Sequence, residues 1–171
     1  MRPGTDMTRP VVNLDDIELK RHARKERFES SQASVAQRIG GRKLGSRLVR
    51  LPPGKKAWPF HNHHTNEEMY VILKGKGQLR FGSERIPVRA RDVFVAPPGG
   101  QETAHQIIND SSEELEYLVI STMEEPDVTE YPDTGKFGVI AGSPPGGKPE
   151  GRTFTIFSHL SNVADYWEGE E

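Results

Sequence analysis

Cysteine is absent from all 171 residues, which removes disulfides, thiolate metal ligands and cysteine nucleophiles from consideration. The same absence is compatible with a reducing compartment. Long apolar runs are missing too: no stretch approaches the length of a membrane span, and the first ten residues lack the apolar core of a signal peptide. The chain therefore reads as a cytoplasmic protein with no membrane partner. Only 33% of residues are hydrophobic and the mean hydropathy is −0.69, which suits one compact core flanked by solvated segments better than two cores. There are no internal repeats.

The net charge of −2 conceals a split. Residues 1–56 hold 14 Lys and Arg against 6 Asp and Glu, whereas residues 57–171 hold 9 against 19. Opposite fields attract, so the basic third is expected to lie against the acidic remainder, of its own chain or of a partner subunit. Two independently solvated surfaces are the plainer alternative. The densest basic run, residues 20–27, includes no nucleic-acid recognition module and no interleaved aromatic residues. It is read as a solvated helix face, and no nucleic-acid partner is expected.

Pro3, Gly4 and Pro10 break residues 1–13 into an arm. A short helix is expected from Asn13, which can cap it, with Asp15 and Asp16 at its positive end. From Gly45 onward, short apolar runs alternate with glycine and proline, the pattern of an all-β unit. Strands are predicted over 47–51, 67–73, 78–81, 85–88, 92–95, 105–109 and 115–121. No helical crossover fits between them, so the sheet is expected to be largely antiparallel with Greek-key or jelly-roll connections. Strands 67–73 and 115–121 are apolar on both faces and need a second layer outside, from the N-terminal arm, the C-terminal tail or another subunit. A homodimer is the expected assembly. Three parts follow: a basic arm over 1–40, a barrel over 41–125, and an extension over 126–171 that packs on the barrel or a partner. The extension carries a turn over 131–136, a loop over 142–151 and an added strand over 153–158.

The most informative stretch runs from Gly54 to Gly75. It holds His61 and His63, then Glu67 and Glu68, then an apolar strand closed by a glycine turn. Side chains two apart on a strand share a face, so His61 and His63 can approach one ion together while His64 points away. A carboxylate at Glu67 or Glu68 completes a set of metal-ligand types. A second cluster follows downstream, with Pro97, Gly99, His105 and Asn109.

Together these residues resemble the paired motifs of the cupin superfamily over roughly residues 41–125. His61, His63, Glu68 and Gly75 fall at the spacing of the first motif, which selects Glu68 over Glu67. The second motif departs from the pattern: Arg91 stands where the family usually has glycine, and five residues separate Gly99 from His105. The resemblance implies an all-β, cupin-type jelly-roll barrel, a double-stranded β-helix, with His61, His63, Glu68 and His105 around one divalent transition metal ion. Three imidazoles and a carboxylate suit Mn, Fe, Ni, Co or Zn. An octahedral ion so held keeps two adjacent positions open for a chelating small-molecule substrate.

Glu67 is either a carboxylate that orients a ligand histidine or a surface charge. The acid–base candidates are Tyr70, on the ligand face, and Glu102, in the extended loop before His105, with Tyr117 a weaker third. Arg80 and Lys55 are basic residues placed to meet an anion. Cupins include sugar and sugar-phosphate isomerases, dioxygenases, decarboxylases and non-catalytic binding proteins. Within that range the expectation is a metal-dependent enzyme of sugar or sugar-phosphate isomerase type, with a non-heme iron dioxygenase or a non-catalytic small-ligand-binding protein as alternatives.

Overall fold

The computed structural model describes residues 9–144 and 147–170. Its strands are β1 (Lys20–Arg24), β2 (Phe28–Ser34), β3 (Leu44–Leu51), β4 (Asn62–His63), β5 (Glu68–Lys74), β6 (Lys76–Phe81), β7 (Glu84–Arg89), β8 (Val93–Ala96), β9 (His105–Ile108), β10 (Leu115–Thr122), β11 (Asp127–Tyr131), β12 (Lys136–Ala141) and β13 (Phe154–His159). They form a six-stranded sheet in the order β1-β2-β3-β10-β5-β8, a four-stranded sheet β13-β12-β11-β4 and a three-stranded sheet β7-β6-β9. Every strand ladder is antiparallel. This is the jelly roll that the alternating pattern predicts. No α-helix occurs among the described residues, and none of their helices is long and apolar enough to cross a membrane.

The alternation of side chains sorts the six-stranded sheet into rows. Val49 on β3, Tyr117 on β10 and Ile72 on β5 are register partners and are all buried. With Leu51, Leu79, Ile107 and Leu115 they form the barrel core, where each fully buried side chain contributes roughly 1.5–3 kcal/mol. The next row along is Arg47, Val119, Tyr70 and Phe94, and the one beyond is Gly45, Ser121, Glu68 and Ala96. One face thus passes from an apolar floor to a polar end within two steps of strand period.

The opposite face of the same sheet is covered by the chain's own beginning. Ile17, Val35 and Leu48 make a second buried cluster, against which Val12, Leu14, Leu19, Leu73 and Leu118 pack. The two-sided apolarity of β5 and β10 is therefore met, at least at this end, from within the chain.

Two expectations about the N-terminal region are corrected. The helix from Asn13 is a single 3-10 turn, Leu14–Asp16, whose first turn Asn13 caps by accepting from the Asp15 N–H at 3.0 Å. The basic run is not a helix face either. Residues 20–24 form β1, exposed along its whole length and paired with β2, with Lys25 at φ 54° in the connecting turn. The run's solvation is legible in the sequence but its period is not, because a fully exposed edge strand leaves no apolar alternation. Strands β2, β4, β11 and β12 also lie outside the predicted set. β2 reads Phe-Glu-Ser-Ser-Gln-Ala-Ser, so small polar residues stand where an apolar stripe would announce a strand. The predicted strand over 153–158 is β13, and the turn over 131–136 joins β11 to β12.

Candidate metal and ligand site

Each of the three histidines is anchored through Nδ1. His61 Nδ1–H donates to the Pro59 carbonyl at 2.9 Å, His105 Nδ1–H to the Thr103 carbonyl at 3.1 Å, and His63 Nδ1–H to the Asp127 carboxylate at 2.6 Å. All three partners are acceptors, so Nδ1 must carry the proton and Nε2 is the atom left to face the interior. The three Nε2 atoms converge on one oxygen. Glu68 Oε2 lies 2.8 Å from His105 Nε2, 3.8 Å from His63 Nε2 and 4.0 Å from His61 Nε2.

That arrangement fits a divalent cation. His63 Nε2 is buried with no hydrogen-bond partner. At His105, an imidazole nitrogen and a carboxylate oxygen meet at 2.8 Å, a contact that needs a positive species, a proton or a metal, between two acceptors. His61, Glu68 and His105 present ligand atoms that all lie within 4.8 Å of one another. His63 stands slightly apart from this trio but faces the same carboxylate oxygen. The donor set is three imidazole nitrogens and a carboxylate, with no thiolate.

Electrostatics follow from burial and crowding. Burial, reinforced by the neighbouring His105 and His63, holds His61 down to about 3, so its ring stays neutral. Burial alone would raise Glu68, but the His105 hydrogen bond and the surrounding imidazoles hold its carboxyl well below the usual range. For His63, burial disfavours the charged form, yet the Asp127 hydrogen bond and the Glu68 and Asp127 charges raise it. Tyr70 donates its hydroxyl to Glu68 Oε2 at 2.8 Å. Burial and then the Glu68 charge push its ionisation far up, making it a proton donor rather than a base.

The cluster opens onto a cavity of about 200 Å³. Its walls come from β3 (Gly45, Arg47), the segment before β4 (Trp58, Pro59), β5, β10 (Val119, Ser121), Met123, and β11 and β12 (Thr129, Tyr131, Ile140). Residues 126–171 thus do more than wrap the outside: β11 pairs with β4 and carries Asp127 to His63.

The other sequence candidates divide clearly. Glu102 is not brought to the cavity; it is exposed, and its carboxylate accepts from the Gly100 N–H at 2.9 Å, closing its own turn. Glu67 is exposed, and the carboxylate that orients His63 is Asp127 instead. Tyr117 is a core residue. His64 points outward, 3.5 Å from Glu130. Arg80 pairs with Asp133 at 2.8 Å and lies 3.6 Å over the Phe60 ring, while Lys55 donates to the Glu26 carbonyl at 2.6 Å. Neither lines the cavity.

Sequence reasoning missed Asp127 and Arg47. Arg47 had a signal: it occupies the inward position two before Val49 and four before Leu51, where alternation calls for an apolar residue. Asp127 had none, because its partner His63 is 64 residues away.

The cupin domain family model matches residues 47–121. The oxalate-binding protein of Thermotoga maritima is 32% identical over 72 residues, which are 42% of this chain and 56% of that protein. Among solved structures, a provisionally named sugar phosphate isomerase from Acidithiobacillus ferrooxidans superposes with a TM-score of 0.76 at 24% identity, covering 94% of this chain and 98% of the other. A sugar phosphate isomerase from Silicibacter pomeroyi gives 0.73 at 22%, covering 93% and 98%. At these identities the likeness is one of fold, and it extends to the strands on both flanks of the matched segment.

Proposed function

This chain belongs to the cupin superfamily, and from that premise we propose a divalent-metal-dependent enzyme acting on a small, oxygen-rich substrate, of the sugar or sugar-phosphate isomerase type. The observation that carries the reading is the convergence of three Nδ1-anchored histidines on Glu68 at the wall of a cavity. His61, His63, Glu68 and His105 would hold the metal. When bound, it supplies a Lewis acid for a carbonyl and its neighbouring hydroxyl.

The protein's own residues do the rest. Tyr70, kept protonated beside Glu68, is a hydrogen-bond donor for a substrate oxygen on which negative charge develops. Thr103 and Asp127, through His105 and His63, fix the rings and spare them reorientation when substrate enters. Trp58 and Tyr131 supply flat walls that limit water. The neighbours' names agree with this class, although their fold alone does not choose it.

The test is solvent exchange. Metal-loaded protein incubated in deuterium oxide with aldose and ketose phosphates is expected to place deuterium on the carbon next to the carbonyl. Tyr70→Phe should slow that exchange about 10²-fold or more while leaving the bound metal in place. Absence of exchange across the panel would sink the isomerase reading.

A second reading, binding of a small dicarboxylate without turnover, is favoured by the cavity's modest volume and by the relative that binds oxalate. Tight oxalate binding with no exchange of any substrate would select it. The assembly we propose is a homodimer, supported by apolar side chains left uncovered on β13 and after it, among them Phe154, Phe157 and Leu160. Light scattering at micromolar protein should read two chains, and a monomer would refute it.

A further inference from the structure

We propose that Arg47 is the anion-recognising residue of this cavity, receiving a carboxylate or phosphate oxygen of a ligand whose other end meets the histidine–Glu68 cluster. The inference rests on the reading above in one respect only, that the cavity takes a small polar ligand.

Register places the guanidinium there. Arg47 lies on the inward face of β3, in line with Val119 and Tyr70 and one row from Glu68, and it lines the cavity. It is also held in place. Arg47 Nη1 donates to Gln32 Oε1 at 2.7 Å, and the buried Gln32 is itself oriented by donating through Nε2 to Ser30 Oγ at 3.0 Å. β2, the strand with no apolar stripe, thereby supplies a polar support behind the site.

What Arg47 lacks is a counter-charge in contact. Arg21, Arg50 and Arg80 each meet a carboxylate: Glu29, Glu116 and Asp133. Among the described residues no carboxylate stands within ion-pair distance of Arg47, whose hydrogen-bond partner is a neutral amide oxygen. The Glu68 charge acts on it only from farther off, and burial outweighs that pull. A partly buried guanidinium left in that condition bears a desolvation cost that Gln32 orients but does not neutralise. Four of its five N–H donors remain for a planar or tetrahedral oxyanion, which a guanidinium fork matches in shape. A cation at the cluster would engage the nearby Glu68 charge and leave the cavity more positive still, favouring an anionic ligand.

The experiment is calorimetric titration of the full-length, metal-loaded protein with inorganic phosphate and, separately, oxalate. Wild type is expected to bind at least one of them, and the tighter of the two identifies phosphate or carboxylate as the group received. Arg47→Met should keep the metal content of wild type and weaken that anion roughly tenfold to a hundredfold, the weight of a charge-assisted hydrogen bond. Arg47→Lys should recover part of the loss, and Gln32→Leu should weaken binding less than Arg47→Met. If Arg47→Met does not fold, the Arg47→Lys and Gln32→Leu variants carry the same comparison against wild type. Unchanged anion affinity in the folded Arg47 variants, or no binding of either anion by wild type at millimolar concentration, would overturn the proposal. Should wild type hold no metal, the titrations are run on metal-free protein: an Arg47-dependent affinity there upholds this inference and assigns the failure to the metal reading.

Discussion

An imidazole is a poor ligand while its ring is free to turn, and in this protein the second nitrogen of each candidate ligand is tied down. Asp127 is the sharpest case, because its carboxylate makes both the 2.6 Å bond to His63 and a 3.2 Å bond from the Thr65 N–H. Asp127→Asn is expected to lower metal affinity about 10–100-fold, read by competition with a chelator of known strength. The same residues set the acid response of the metal-free protein. His61 is held near 3 against an ordinary 6.5, so between those values the unfolded chain binds a proton that the folded chain refuses, and stability falls as pH drops through that window. Glu68, held below its ordinary 4.5, removes stability in the same direction at lower pH. His63, raised above 6.5, works oppositely, since its contribution is complete below 6.5 and fades as pH rises. With two groups against one, the urea midpoint of metal-free protein should be lower at pH 4 than at pH 7. A midpoint that holds or rises on acidification would refute this net acid response.

At the level of elements, β5 does the most positioning. Glu68, Tyr70 and Ile72 face inward while Met69, Val71 and Leu73 face out, so a slip of one residue would carry the Glu68 carboxylate to the wrong side of the sheet. The register is pinned at the far end by Gly75, which sits at φ 81° and where a Cβ would run into the Glu114 carbonyl. Gly75→Ala is therefore expected to remove roughly 1–3 kcal/mol of stability. Urea denaturation measures it, and a wild-type midpoint would mean that the turn is more accommodating than its backbone indicates.

At the level of the whole molecule, the barrel is insulated on one side by residues that precede it. Ile17 is only 5% exposed and joins Val35 and Leu48 in a cluster separate from the barrel core. Ile17→Ala should cost roughly 2–5 kcal/mol in chemical denaturation, a large fraction of the stability of a domain this size. A loss under about 0.5 kcal/mol, the scale of a surface change, would show that the N-terminal segment covers the sheet without stabilising it. The opposite flank contributes chemistry, since β11 brings Asp127 to β4. A histidine from the matched segment thus depends on a carboxylate outside it.

By itself the sequence determined what local pattern can encode. Period-two alternation named the barrel strands, the His61–His63 spacing named two side chains that share a face, and glycine placed the turn after β5, because each signal is carried within a few consecutive residues. Tertiary structure decided the rest. Asp127 rather than Glu67 supports His63, Glu102 turns back on its own loop, and β1 and β2 are strands despite their polarity. These outcomes depend on partners far apart in the chain or on backbone ladders that side-chain hydrophobicity does not report. Arg47 falls between the two. Its place in the alternation is written in the sequence, but whether a charge at an inward position meets a carboxylate, a neutral amide or an open cavity is settled only when β2, β3 and β5 come together.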